Sequence, residues 1–252
     1  MSLTIPTPSW RHYFALNPDS DRRYPLPDIL RGVAIVLMML FHGWYDLSVF
    51  GFVSMDFQDP LVRGVRGIIV GLFCTMAGAS LYWTHARDFR WHALLRRQGQ
   101  LILAALLLSL FSLLAYPEAW IYFGILHFFV VALLISLPLV RWPLLAGVLG
   151  AALVLAERLG LPGSDPWLHD HLQPILGLPD GSIDRMYLLP WLGVVWIGIW
   201  LARLPLLHKP IAPALHRQTR WLRWMGQRPL SLYLIHQPIL FGLAALLWLL
   251  TR

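Results

Sequence analysis

The chain has 252 residues, of which 58% are hydrophobic and 13% are charged. Water-soluble domains carry about 25% charged residues, so this composition excludes an ordinary soluble domain and indicates that the solvent of the protein is lipid. The formal net charge of +7 arises from arginines between apolar stretches, which favours orientation in a membrane over binding of nucleic acid. The single cysteine excludes an internal disulfide framework.

The apolar stretches predict an all-α, polytopic membrane helix bundle of about seven transmembrane helices, because each crossing needs about 20 apolar residues. Residues 1–27 hold five prolines and no apolar core, so we interpret them as a cytoplasmic tail and residues 28–252 as one membrane domain. The 158–185 stretch is rich in proline and glycine and predicts a loop, with a short interfacial helix near Trp167–Leu172. The predicted spans are 29–49, 66–84, 98–116, 119–140, 142–157, 186–204 and 229–250.

The distribution of arginine and lysine predicts the orientation. With a cytoplasmic N-terminus, fifteen of the twenty basic residues fall on the cytoplasmic side and five fall outside. This excess is the positive-inside signal of a multi-pass protein, which we assign to the inner cell membrane. The fifth span has only 15 apolar residues and could be short, tilted or re-entrant. Omitting it would place the arginines between 203 and 228 outside, so the charge pattern favours seven crossings and an outer C-terminus.

The first predicted span carries ionisable residues, which are costly in lipid and are therefore functional candidates. Arg31 and His42 are eleven residues apart, close to three helical turns, so they lie on one face about 16 Å from each other. Asp46 follows His42 by four residues and is its neighbour on that face. We interpret His42 as a general base oriented by the Asp46 carboxylate, and Arg31 as a binding residue. For Asp28 and Arg31, snorkelling at the membrane boundary is the alternative.

Later spans add further polar candidates. His127 lies at nearly the depth of His42 and is a substrate-binding candidate, with a core histidine bonded to a backbone carbonyl as the alternative. Tyr187 and Trp191 open the sixth span and are substrate-binding candidates, although their placement is more typical of an interfacial aromatic belt. Pro238 predicts a kink in the last span, and the polar residues beside it share one face, which favours a substrate cavity. These residues are Tyr233, His236 and Gln237.

Five motifs occur in order along the chain. They are Asp28-Ile-Leu-Arg31-Gly, Met38-Met-Leu-Phe-His42, Tyr122-Phe-Gly-Ile-Leu-His127, Leu189-Pro-Trp-Leu-Gly193 and Ser231-Leu-Tyr-Leu-Ile-His-Gln-Pro238. Together they resemble the bacterial branch of the heparan-α-glucosaminide N-acetyltransferase catalytic-domain family, over residues 24–250. The spacing from Arg31 to His42 and the closing Ser-Leu-Tyr-Leu-Ile-His pattern also resemble the acyltransferase family 3 membrane enzymes.

The resemblance implies a membrane acyltransferase that moves an acyl group, expected to be acetyl, from cytoplasmic acyl-CoA to a sugar or glycoconjugate at the outer side. Eukaryotic members have Asn at the step of His42 and a histidine in the following loop, whereas residues 47–66 contain no histidine here. His42 is therefore the better candidate, either as base or as acyl carrier, and the eukaryotic substrate is not carried over. No zinc-ligand spacing is present, so no metal is expected.

Acyl-CoA is anionic, and its phosphates need arginines on the cytoplasmic side. Each such arginine could instead serve topology alone. The predicted donor-binding arginines are Arg31, Arg96, Arg97, Arg223 and Arg228.

Two other classes of protein remain open from the sequence. A transporter or a non-catalytic membrane subunit would also bury polar groups at mid-depth. A b-type cytochrome would use His42 and His127 as haem ligands on different helices, with His85 and His236 near the other side.

Overall fold

The computed structural model describes residues 24–160, 175, 177–179, 181, 182 and 184–251. Within these residues the ordered elements are helices and no strand is present, which confirms the predicted all-α class. The interfacial helix predicted at Trp167–Leu172 and most of the predicted tail lie outside the described residues. The α-helices are α1 (Pro25–Val49), α2 (Pro60–His85), α3 (Trp91–Ala115), α4 (Ile125–Ser136), α5 (Pro143–Arg158), α6 (Leu189–Leu201), α7 (Pro205–His208), α8 (Pro213–Gln218), α9 (Arg220–Gly226) and α10 (Pro229–Leu250), with 3₁₀ segments at Pro117–Ala119 and Leu137–Arg141.

Proline in the first turn begins several of these helices, because proline has no amide hydrogen to lose there and its φ angle suits the helix. Helix α1 begins at Pro25 and α2 at Pro60, earlier than the predicted residues 29 and 66. The side chain of Asp59 also caps α2 by accepting a hydrogen bond of 2.7 Å from the amide of Leu61. These local signals extend both helices beyond their apolar stretches.

Four helices, namely α1, α2, α3 and α10, are long and apolar enough to cross a membrane. Helix α6 has 13 residues and a length of about 20 Å, which is less than the hydrocarbon core of about 30 Å. Helix α4, with the 3₁₀ segment that follows it, and helix α5 are also shorter than a full span. Crossing by α4, α5 and α6, and so the total of seven spans, stays a prediction.

Helix α4 begins at Ile125, although the predicted span began at residue 119. Side chains from elsewhere in the fold bind the amides of the intervening segment. The amide of Ile121 donates to Ser112 Oγ at 2.9 Å, and the amide of Ile125 donates to Asp184 Oδ2 at 3.1 Å. These contacts hold residues 120–124 outside the helix.

Helix α6 packs closely against α2 and α5 around a core that includes Phe128 and Cys74. A Cβ atom built on Gly78 of α2 would overlap the carbonyl oxygen of Val195, and one built on Gly198 of α6 would overlap that of Thr75. Such backbone contact requires glycine, and small residues are the usual means of close helix packing in lipid.

Helix α1 packs against α9, α10 and α2. Asp28, near the start of α1, bonds to Gln227 just before α10, and Asp46, near the end of α1, bonds to Gln237 within α10. The contacts follow the same order in both helices, so α1 and α10 are parallel. Residues 24 and 251 therefore lie at opposite ends of the bundle.

Large apolar side chains are exposed along the outer faces of α3 and α10. Leu106, Leu110 and Leu114 of α3, and Ile239 and Leu243 of α10, each have more than half of their surface exposed. Apolar faces of this length are stable in contact with lipid but not with water. The chain is a membrane protein.

Candidate active site

A network of polar side chains lies at the end of the bundle where α1 and α10 begin. The Arg31 guanidinium forms an ion pair of 2.9 Å with Asp28 and donates to Ser80 Oγ at 2.6 Å. The second oxygen of the buried Asp28 carboxylate accepts a bond of 3.0 Å from Gln227. Three segments of the chain therefore hold the charge of Arg31 in a fixed position.

Two histidines meet between α1 and α10. His42 Nδ1 lies 2.6 Å from His236 Nε2, and the two rings stack with centroids 4.8 Å apart and planes inclined by 23°. His236 is buried, and its Nδ1 lies 2.6 Å from the carbonyl oxygen of Tyr233 in the preceding turn. The sequence placed all three residues among the candidates, and the structure brings them together.

Asp46 lies one turn beyond His42 and is fully buried. Its Oδ1 accepts a hydrogen bond of 2.8 Å from Gln237 Nε2, while its Oδ2 and Gln237 Oε1 have no partner among the described residues. The structure therefore brings Asp46 to Gln237 and not to His42. A catalytic role for Asp46 stays a prediction, but the contact that would let it orient the His42 ring is made by His236 instead.

A cavity of about 900 Å³ leads from the Arg31 end of the bundle toward these histidines. Its volume is in the range typical of ligand sites. Arg31 and Arg97 line it together with Arg87 and Arg90. Inside the bundle it reaches Tyr233, whose ring centroid is 5.7 Å from that of His236. The cavity thus joins a basic rim to the wall beside the histidine pair.

Three aromatic rings also line this cavity near its rim. Tyr24 packs edge-on against His208 with centroids 4.6 Å apart, and the Trp83 indole donates to His208 Nε2 at 3.0 Å. Burial lowers the pKa of His208, and an Nε2 that accepts a hydrogen bond is unprotonated, so this ring is neutral. Sequence reasoning missed these residues because they come from the ends of separate helices and from the segment before α1.

The predicted donor-binding arginines divide into two groups. Arg31 and Arg97 line the cavity, whereas the three others are not among its described lining residues. Arg96 is exposed on α3, Arg223 donates to the carbonyl of His216 at 2.8 Å, and Arg228 stacks on Trp224 at 5.0 Å. Arg87 and Arg90 were counted as cytoplasmic charges but not as binding residues.

His127 uses both of its ring nitrogens within the fold. Its Nδ1 accepts from the amide of Gly124 at 3.3 Å, and its Nε2 lies 3.1 Å from Ser109 Oγ, which itself donates to the carbonyl of Ile121. This arrangement leaves neither nitrogen for a substrate or for haem iron. His127 is therefore bonded within the fold, but to a backbone amide and a hydroxyl and not to the backbone carbonyl of the alternative. Binding of substrate by His127 stays a prediction that these contacts do not favour.

The aromatic candidates of the sixth predicted span lie apart from the histidine pair. Tyr187 is exposed and stacks under the Arg185 guanidinium at 5.3 Å, while Trp191 packs against the core of the bundle. Their predicted role in substrate binding is untested. Asp184, which sequence reasoning did not select, accepts a hydrogen bond from the amide of Ile125. Burial raises the pKa of the Asp184 carboxyl, whereas this hydrogen bond and the charge of Arg66 oppose the rise.

A family model described as "Heparan-alpha-glucosaminide N-acetyltransferase, catalytic" matches residues 23–238. The chain belongs to this family. The matched region runs from the start of α1 to Pro238 and so includes both histidines and the cavity residues. Family membership identifies the protein as a membrane transferase of the acetyltransferase type. No curated protein and no solved structure matches the chain. The closer similarity to a bacterial branch and to acyltransferase family 3 stays a resemblance.

Proposed function

We propose that this protein transfers an acetyl group from cytoplasmic acetyl-CoA to a hydroxyl or amine of a sugar or glycoconjugate on the outer side of the cell membrane. The observation that carries the proposal is the cavity that runs from the arginine rim to Tyr233, which lies beside the histidine pair. Family membership supports acetyl transfer, and the arginines that line the cavity favour an anionic donor at that end of the bundle.

The donor fits the cavity by its chemistry. Phosphate groups are best bound by arginine, and four arginines line the cavity against two aspartates, Asp28 and Asp88. The neutral aromatic cluster of Tyr24, Trp83 and His208 offers ring faces to a flat nucleobase at the same rim. A donor bound there would extend its thioester toward Tyr233 and the histidine pair.

In the proposed reaction, His42 Nε2 removes the proton from the acceptor hydroxyl or amine. The acceptor lone pair forms a bond to the thioester carbonyl carbon, and the carbon–sulfur bond breaks. The CoA thiolate then takes the proton from the His42 imidazolium, which restores the neutral ring. Acid quenching during turnover tests for a covalent acetyl-His42, and its detection would contradict this direct route.

The proposal is tested by reconstituting the protein in vesicles, supplying radiolabelled acetyl-CoA to the cytoplasmic face of the protein, and measuring release of free CoA. Mass spectrometry of cell-envelope glycans with and without the protein identifies the acceptor by a gain of acetyl groups. CoA release and a matching glycan change are expected. A purified, folded protein that leaves both acetyl-CoA and the envelope glycans unchanged would contradict the proposal and favour a transporter or a non-catalytic subunit.

The adjacent arginines Arg96 and Arg97 provide a matched test of donor binding. Arg97→Gln is expected to raise KM for acetyl-CoA about tenfold or more, because a hydrogen bond to a charged group contributes about 1.5–3 kcal/mol. Arg96→Gln should change KM less than about twofold, since Arg96 is outside the cavity lining. Initial rates against acetyl-CoA concentration measure both values. A KM that stays near native in both variants would show that these arginines serve topology alone.

The sidedness of the reaction rests on the orientation of the chain. Because α1 and α10 are parallel, reporter fusions at residue 3 and after residue 251 are expected to report opposite sides, with the first cytoplasmic. The measurement uses separate fusions of a phosphatase and of a fluorescent protein at each position. The same answer at both positions would contradict the helix order, and an outer first position would reverse the proposed direction of transfer.

A further inference from the structure

The bonding of His236 fixes where protons lie in the histidine pair. The Tyr233 carbonyl oxygen 2.6 Å from His236 Nδ1 can only accept, so Nδ1 carries a hydrogen. In a neutral His236 ring, Nε2 is then an acceptor. His42 Nδ1, 2.6 Å from that atom, must be the donor, which leaves the lone pair of the His42 ring on Nε2.

Neighbouring residues reinforce this arrangement. Pro238 has no amide hydrogen, so α10 lacks one backbone hydrogen bond next to the turn that contains Tyr233. One turn further along α1, Asp46 binds Gln237, which holds the two helices together beside the histidines. His236 itself is 4% exposed, so its ring has few alternative positions.

We propose that His236 is the positioning residue for the base His42, the role that the sequence suggested for Asp46. His236 holds His42 in the tautomer with a free Nε2 and keeps the hydrogen bond from His42 Nδ1 while Nε2 takes the acceptor's proton. That hydrogen bond stabilises the His42 imidazolium, and the proton then leaves through His42 Nε2 to the CoA thiolate. This inference rests on the proposed acetyl transfer.

Three variants at position 236 separate a positioning role from a packing role. His236→Gln keeps an acceptor oxygen that can face His42 Nδ1, and we expect kcat within about tenfold of the native value. His236→Leu keeps bulk but removes the acceptor, and His236→Lys offers only a donor, which would place the hydrogen of His42 on Nε2. For these two, kcat should fall about 10²–10⁴-fold, as a wrong base tautomer requires. KM for acetyl-CoA should stay within about threefold throughout, because His236 is outside the cavity lining.

A double-mutant cycle tests whether the two rings act as a unit. If they do, His42→Ala combined with His236→Leu should lose no more activity than His42→Ala alone. Multiplicative losses, or a His236→Leu variant with near-native kcat, would overturn the positioning role. A native protein with no transfer activity would instead be a failure of the proposed function.

Nitrogen-15 NMR of histidine-labelled protein gives a test that needs no turnover. The His42 signals are assigned by their loss in His42→Ala. In the native protein, His42 should show the tautomer protonated at Nδ1, and in His236→Lys it should show the tautomer protonated at Nε2 or lose tautomer preference. A native His42 protonated at Nε2 would overturn the inference even if the lysine variant failed to fold.

Discussion

Replacing His42 with alanine is expected to lower acetyl turnover by about 10²–10⁴-fold while the protein stays folded and inserted. His42 contributes one ring to the contact between α1 and α10, and it is only half-buried. Its loss removes the proposed base, but the contacts of Asp28 with Gln227 and of Asp46 with Gln237 still join the two segments. CoA release from acetyl-CoA in vesicles, at equal protein amounts, measures the effect.

His92→Ala is the matched control for this variant. His92 is exposed in the first turn of α3, away from the histidine pair, so its replacement should leave turnover and thermal stability near native. If His42→Ala retained near-native turnover, the base would lie elsewhere, and the bonded partner His236 would be the next residue to replace. If His42→Ala lost its thermal transition, the role of His42 would be in packing.

The sequence was sufficient to select the residues of the histidine pair but not to pair them. On one helix, Asp46 is the natural neighbour of His42 because residues four apart share a face. The contact that forms instead crosses from α1 to α10, and its register depends on how the two helices pack. Just before α10 begins, the end of α9 also approaches α1 closely, since a Cβ atom at Gly226 would overlap the carbonyl oxygen of Asp28. No local pattern in the sequence predicts this close contact between helices.

The lengths of the helices were predicted well where the apolar stretch itself determines the helix. The last helix begins and ends within the predicted 229–250 range, whereas α4 is shortened by Asp184, which lies about sixty residues later and binds the amide of Ile125. The aromatic cluster at the cavity rim was missed for a similar reason, since Tyr24 and Trp83 become neighbours only when separate helix ends meet. Long-range side-chain contacts, rather than hydrophobicity, decide both features.

Replacing Gly78 with valine is expected to abolish a folded, monodisperse protein. A Cβ atom at this position would overlap the carbonyl oxygen of Val195, and a backbone atom cannot move aside by changing rotamer. Helix α6 would have to separate from α2, which also breaks the reciprocal contact of Gly198 with Thr75. Overpacking in a protein core costs about 1–3 kcal/mol or more, and a backbone overlap belongs at or above the upper end of that range.

Gly71→Val is the control for this variant, because Gly71 lies on the same helix and a Cβ atom there meets no atom within 4 Å. We expect Gly71→Val to elute as a single species in detergent with a near-native thermal transition, and Gly78→Ala to show a clearly lowered transition. Gel filtration and thermal unfolding of the three variants make the comparison. Helix propensity alone would stabilise all three, since glycine is the poorer helix former. A native-like Gly78→Val would therefore contradict the close packing of α2 on α6, whereas loss of the Gly71 variant as well would show that this stretch of α2 packs against a surface on both faces.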